Sequence, residues 1–175
     1  MFTDKKLELE SNLDKALINA SRIPKYKIHN KEAIDKSLPA KMFLFWIQKF
    51  FAELIPGWNV SVYFSYSEDD PEKRTPVYYK ECALNKWTRA LSEFYPDDRV
   101  VNFAFNLSSS YDNIDNISDL FFEIGQSAFH EVLHVLCADF DNKKNPRPVH
   151  QMIVNMENNV YPYIYEVTKE QILNR

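Results

Sequence analysis

His130-Glu131-Val132-Leu133-His134 lies within a segment whose apolar residues recur at helical spacing. On a helix, residues four apart project from one face, so the two imidazoles would lie one turn apart. At that spacing two nitrogens can reach one tetrahedral zinc ion, at about 2.0–2.1 Å each. Glu131 lies on the adjacent face, where its carboxylate can reach a water on the metal without ligating the metal. The five residues therefore predict a zinc site with Glu131 as general base.

The helix that carries this motif is predicted to run from Asn116 to about Ala138. Asn116 can cap its first turn, and Asp119, three residues later, can return the bond in a capping box. Apolar residues lie almost all round this helix, which is typical of a buried helix. Two histidines and a glutamate there would be costly without partners, and a metal ion accounts for all three. The alternative is a pair of core histidines bonded to backbone or carboxylate groups, with Glu131 at the surface.

A catalytic zinc ion needs a third protein ligand and keeps one position open for water. His150 lies sixteen residues beyond His134, in the first turn of a helix that Pro148 begins. Glu157 lies seven residues further along the same helix and faces the same way. We assign the third ligand to His150, and Glu157 either orients a ligating histidine or replaces His150 as ligand. The alternatives are a surface histidine at a helix start and an exposed helix glutamate.

The rest of the chain predicts an α+β fold around the motif helix. Helical spacing of apolar residues indicates further helices, alternation with a period of two indicates strands, and one stretch fits strand or helix equally well. The helices are expected over 4–20, 40–54 and 148–161, the strands over 58–66 and 99–107, and the open stretch covers 77–94. One domain over 1–175 is expected, with an N-terminal helical part (1–55) and a second part (56–175) that holds the sheet and the active-site and closing helices.

Composition and charge narrow the class of function. Only two glycines occur, and neither G-x-G-x-x-G nor G-x-x-x-x-G-K-[ST] is present, which excludes nucleotide binding through those loops. The net charge of −4 gives no basic field for a nucleic acid. The N-terminus lacks the apolar run of a signal peptide, and no apolar stretch is long enough to span a bilayer. Cys82 and Cys137 are expected to be reduced thiols. A cytoplasmic protein without a membrane or nucleic-acid partner is therefore expected.

The motif and its continuation Val135-Leu136 resemble the active-site helix of the zincin metallopeptidases. The strands over 58–62 and 99–107 and the segment 150–157 are similar to small zincin-like proteins of bacteriophage genomes. This resemblance covers about residues 55–160. It implies a small mixed sheet packed on the motif helix, whose edge strand, here 99–107, lies above that helix and binds extended peptide. The chain departs from the metzincins, which continue H-x-x-G-x-x-H, and from the thermolysin-like pattern, which adds E-x-x-x-D.

The resemblance implies a zinc-dependent metallopeptidase that acts on a peptide or protein substrate. His130, His134 and His150 would hold the zinc ion, with Glu131 as general base. Three tyrosines near the site are candidates to stabilise the oxyanion: Tyr161, Tyr163 and Tyr165. One alternative is a catalytically silent structural or interaction protein of zincin fold, with virion association left open. Another is an SprT-like protease acting on DNA-bound proteins, although the usual His-Gly pair is absent. The oligomeric state stays open.

Overall fold

The computed structural model describes residues 2–20, 26–29, 31–67, 88–140 and 145–173. Within these ranges the chain forms six α-helices, one short 3-10 helix and a four-stranded mixed sheet, which confirms the α+β class. The helices are α1 (Phe2–Ala20), α2 (Lys31–Lys36), α3 (Leu38–Leu54), α4 (Ile117–Leu136), α5 (Arg147–Asn159) and α6 (Tyr161–Leu173). The strands are β1 (Tyr26–His29), β2 (Asn59–Ser65), β3 (Ala90–Tyr95) and β4 (Val100–Asn106).

The sheet has the order β1-β2-β4-β3. β1, β2 and β4 are parallel to one another, and β3 is antiparallel to β4. The apolar residues of β2 and β4 lie opposite one another and are buried, in the pairs Val60–Val101, Val62–Phe103 and Phe64–Phe105. The rings of Phe43 on α3 and Phe105 on β4 lie 4.8 Å apart, so this face of the sheet packs on α3. A period of two along each strand thus produces one continuous apolar layer.

The strands predicted over 58–66 and 99–107 are confirmed as β2 and β4, but the expectation that 99–107 forms the edge strand is wrong. β4 is paired on both sides, and the two edge strands of the sheet that the described residues form are β1 and β3. Alternating apolar residues show which face of a strand is buried, and they do not show how many neighbours the strand has. Ala104 and Asn106, on the opposite face of β4, are buried as well, as is typical of a central strand covered on both faces.

The stretch over 77–94, whose pattern fits strand or helix equally well, is a strand in its last part, since β3 covers Ala90–Tyr95. Residues 68–87, which include Cys82, lie outside the described residues. Neither β1 nor α2 was predicted, and β1 lies in the part of the chain that was expected to be helical. A four-residue strand such as β1 carries too few alternating residues for a periodic signal.

α4 begins and ends close to where the sequence predicts. The side chain of Asn116 accepts a hydrogen bond from the backbone N–H of Asp119, at 2.8 Å. The expectation of a helix buried all round is wrong, because Leu136 is exposed and the histidine face is only half-buried. Among the described residues, no helix has the length and apolar character needed to cross a membrane.

The closing segment forms two helices, because α5 ends at Asn159 and α6 begins at Tyr161. Together they run back along α4 in the opposite direction. Tyr161 Oη donates to Phe122 O at 2.7 Å, and Tyr165 Oη donates to Ser118 O at 2.8 Å. This antiparallel path brings the start of α5 beside the C-terminal half of α4, where the motif lies.

Candidate metal centre

Three histidines converge where α4 and α5 meet. His130 and His134 are one turn apart on α4, and their Nε2 atoms are 3.2 Å apart. His150 lies in the first turn of α5, as predicted, and its ring centroid is 5.4 Å from that of His130 and 5.9 Å from that of His134. One nitrogen from each ring lies within 4.8 Å of the other two. The structure therefore brings together the three residues predicted to hold a metal ion.

The donor set fits zinc. Zinc–nitrogen bonds of about 2.0–2.1 Å in a tetrahedron place two ligand nitrogens about 3.3–3.4 Å apart. The 3.2 Å separation of the Nε2 atoms of His130 and His134 is close to that spacing. His150 is exposed, so its side chain can rotate to complete the set. Three imidazole ligands would leave one tetrahedral position open, and catalytic zinc sites keep such a position for water.

Glu157 contacts a histidine of this group. Its Oε2 atom lies 2.7 Å from Nδ1 of His130, and both side chains are largely buried. A proton on Nδ1 would be donated to this carboxylate, which leaves Nε2 as the lone-pair nitrogen facing His134 and His150. A carboxylate on the far nitrogen of a ligating histidine fixes the ring and raises its basicity. This position suits the orienting role for Glu157, and the three-histidine group does not include it.

Glu131 points from α4 towards β3, one of the two edge strands. Its Oε2 atom accepts a hydrogen bond from Ser92 Oγ on β3, at 2.7 Å. Burial raises the pKa of the Glu131 carboxyl, and the Ser92 hydroxyl, a positive charge on His130 and the Ser92 backbone lower it in part. No motif or periodicity points to Ser92, because its partner lies 39 residues away in the sequence. Glu131 thus lies beside the histidines with its carboxylate held by β3.

The tyrosines proposed for the oxyanion have other contacts. Tyr161 is fully buried, and its hydroxyl is committed to a carbonyl of α4, as is that of Tyr165. Burial raises the pKa of the Tyr161 phenol, so it remains a protonated donor to that carbonyl. Tyr163 is 77% exposed. Tyr161 and Tyr165 therefore attach the closing helices to α4.

No protein-family model, curated protein or solved structure matches this chain. Among the described residues, His130, His134 and His150 form the group of potential ligands close enough to share one ion. Glu131 and Glu157 flank that group, one towards the sheet and the other on α5.

Proposed function

We propose that this chain is a zinc-dependent metallopeptidase with a zincin-like fold. The observation that carries the proposal is the convergence of three imidazoles within 4.8 Å. Beside them lies Glu131, which is not one of the potential metal ligands and is bonded to Ser92 instead. The mixed sheet with an antiparallel edge strand beside the motif helix agrees with the fold that the resemblance implies. β3 takes the place of that edge strand, and an extended peptide is the substrate class that such a strand suits.

Each residue has a distinct chemical role in this proposal. His130, His134 and His150 would hold the zinc ion, and Glu157 would keep the His130 ring turned towards it. Bound zinc supplies Lewis-acid chemistry, which acidifies water and polarises a carbonyl group. Glu131 removes a proton from the attacking water as the new carbon–oxygen bond forms, and delivers it to the leaving amine nitrogen as the carbon–nitrogen bond breaks.

The purified chain is expected to bind about one zinc ion, and chelation is expected to lower its Tm. Zinc that binds only the folded state stabilises that state by mass action. Elemental analysis gives the stoichiometry, and thermal unfolding with and without chelator gives the shift. His29→Ala is the matched control, because His29 lies outside the group, stacked on Tyr63 at 4.2 Å. A protein that takes up no zinc on titration would rule out the proposed site.

The two candidates for the third ligand are expected to differ in what their removal costs. His150→Ala should weaken zinc binding by orders of magnitude, because it removes one of the three protein ligands. Glu157→Ala should cost about 10–100-fold, because it removes only the group that orients His130. Competition against a chromophoric chelator measures both constants. The opposite ranking would make Glu157 the ligand and leave His150 at the rim of the site.

A further inference from the structure

We infer that Ser92 is a positioning residue, which holds the Glu131 carboxylate in the orientation needed for proton transfer. This inference rests on the proposed peptidase function and adds a residue from the sheet to it. The contact that carries it is the hydrogen bond from Ser92 Oγ to Glu131 Oε2, at 2.7 Å, between β3 and α4.

Ser92 is the polar residue on an otherwise apolar side of β3. Residues two apart along a strand share a face, so Ala90, Ser92 and Phe94 point the same way. Ala90 and Phe94 both pack against the main hydrophobic core. A serine between two core-packed residues has lost much of its contact with water, and the hydroxyl needs a protein partner there. Glu131 is that partner.

The backbone of Ser92 is directed to the same carboxylate. The backbone N–H of Asn106 on β4 donates to Arg89 O, just before β3, so these two residues form a hydrogen-bonded pair. Along two antiparallel strands, hydrogen-bonded pairs alternate with pairs that are not hydrogen-bonded. Ser92, paired with Phe103, therefore falls in a non-bonded pair, and its N–H points away from β4. The backbone of Ser92, like its hydroxyl, lowers the pKa of the Glu131 carboxyl, and the hydroxyl bond at 2.7 Å holds Oε2 in place.

The element that carries Ser92 is fixed relative to α4. β3 is paired with β4 along its whole length, from Ala90–Phe105 to Tyr95–Val100. At the start of β3, the guanidinium of Arg89 lies 2.6 Å from the carboxylate of Glu123, two turns before Glu131 on α4. Because β3 is fixed relative to α4, the hydroxyl of Ser92 restricts the positions that the Glu131 carboxylate can take.

The orientation matters because a glutamate has three rotatable bonds. Ser92 engages Oε2, which leaves Oε1 to accept the proton of the attacking water. Without the hydroxyl, the carboxylate would sample other rotamers, and a misplacement of about 1 Å can cost about a hundredfold in rate. The hydrogen bond from Ser92 involves none of the three histidines.

Ser92→Ala in the zinc-loaded chain is expected to lower kcat for peptide hydrolysis by about 10–100-fold. KM and the zinc dissociation constant should stay unchanged, because strand addition uses backbone groups and the Ser92 hydroxyl is bonded to Glu131 rather than to a histidine. Ser92→Thr keeps the hydroxyl and should restore kcat. Ser61→Ala is the matched control, since Ser61 is a half-buried strand serine that alternates with the buried residues of β2. Ser92→Cys, which donates only weakly, gives the same comparison should the alanine variant unfold.

A second measurement needs no activity. In metal-free protein, a double-mutant cycle of Ser92→Ala and Glu131→Ala by urea unfolding should show a coupling of about tenfold or more in the unfolding constant. An absence of coupling would overturn the inference and leave the peptidase proposal standing. The same conclusion would follow if Ser92→Ala kept the wild-type kcat while Glu131→Gln was inactive. Loss of kcat that Ser92→Thr does not restore, or that Ser61→Ala shares, would overturn it too. A wild-type chain that binds zinc but hydrolyses nothing would overturn both.

Discussion

Glu131→Gln is expected to abolish peptide hydrolysis while zinc remains bound and the fold stays intact. The amide has nearly the shape of the carboxylate and still accepts a hydrogen bond from Ser92, but it cannot take a proton from water. General-base catalysis contributes about 10²–10⁴-fold, so turnover should fall by at least that range. Hydrolysis of a mixture of unstructured peptides by zinc-loaded protein, followed by mass spectrometry, gives the rate and the cleaved bonds.

The matched control is Glu53→Gln, which removes an exposed charge paired with Lys49 on α3 and should leave turnover unchanged. If Glu131→Gln loses its zinc, Glu131 has a structural role in the site. If it turns over like the wild type, Glu131 is not the general base. Absence of hydrolysis in every zinc-loaded variant, the wild type included, would favour the silent structural protein over the enzyme.

Gly125→Ala is expected to destabilise the fold by about 3 kcal/mol or more, which corresponds to a fall in Tm of about 6–12 °C. A Cβ atom at Gly125 would lie 2.5 Å from Trp46 Cε2 and would overlap Tyr161 Oη. Both neighbouring side chains are buried, and both donate hydrogen bonds to carbonyl groups of α4. Trp46 Nε1 donates to Phe121 O at 3.2 Å, and Tyr161 Oη donates to Phe122 O at 2.7 Å. Neither ring can move aside without giving up its hydrogen bond.

Helix propensity alone would predict that Gly125→Ala stabilises the fold, because alanine is more favourable than glycine inside a helix by about 1 kcal/mol. The expected change in stability has the opposite sign. Gly57→Ala is the matched control, since nothing lies within 4 Å of a Cβ built there. Urea unfolding of the two variants measures the difference. A Gly125→Ala variant as stable as the wild type would mean that α3, α4 and α6 pack less closely than this.

The local features that the sequence predicted are those set by periodicity and by neighbours along the chain. The spacing of His130 and His134 fixes their common face on any α-helix, and the Asn116 cap depends on a contact three residues away. Alternation identified β2 and β4, each of seven residues. The same reasoning located His150 in the first turn of its helix, because Pro148 favours a helix start.

Only the tertiary structure determines how elements that are distant in the chain lie relative to one another. The contact of Glu157 with His130 depends on the antiparallel path of α5 along α4, and 27 residues separate the two side chains. The edge position of β3 depends on which strands pair, and the Ser92–Glu131 bond depends on β3 lying beside α4. Helix and strand periods fix the direction of a side chain relative to its own element. The distances between elements are set by the packing of the whole core, including the close approach at Gly125.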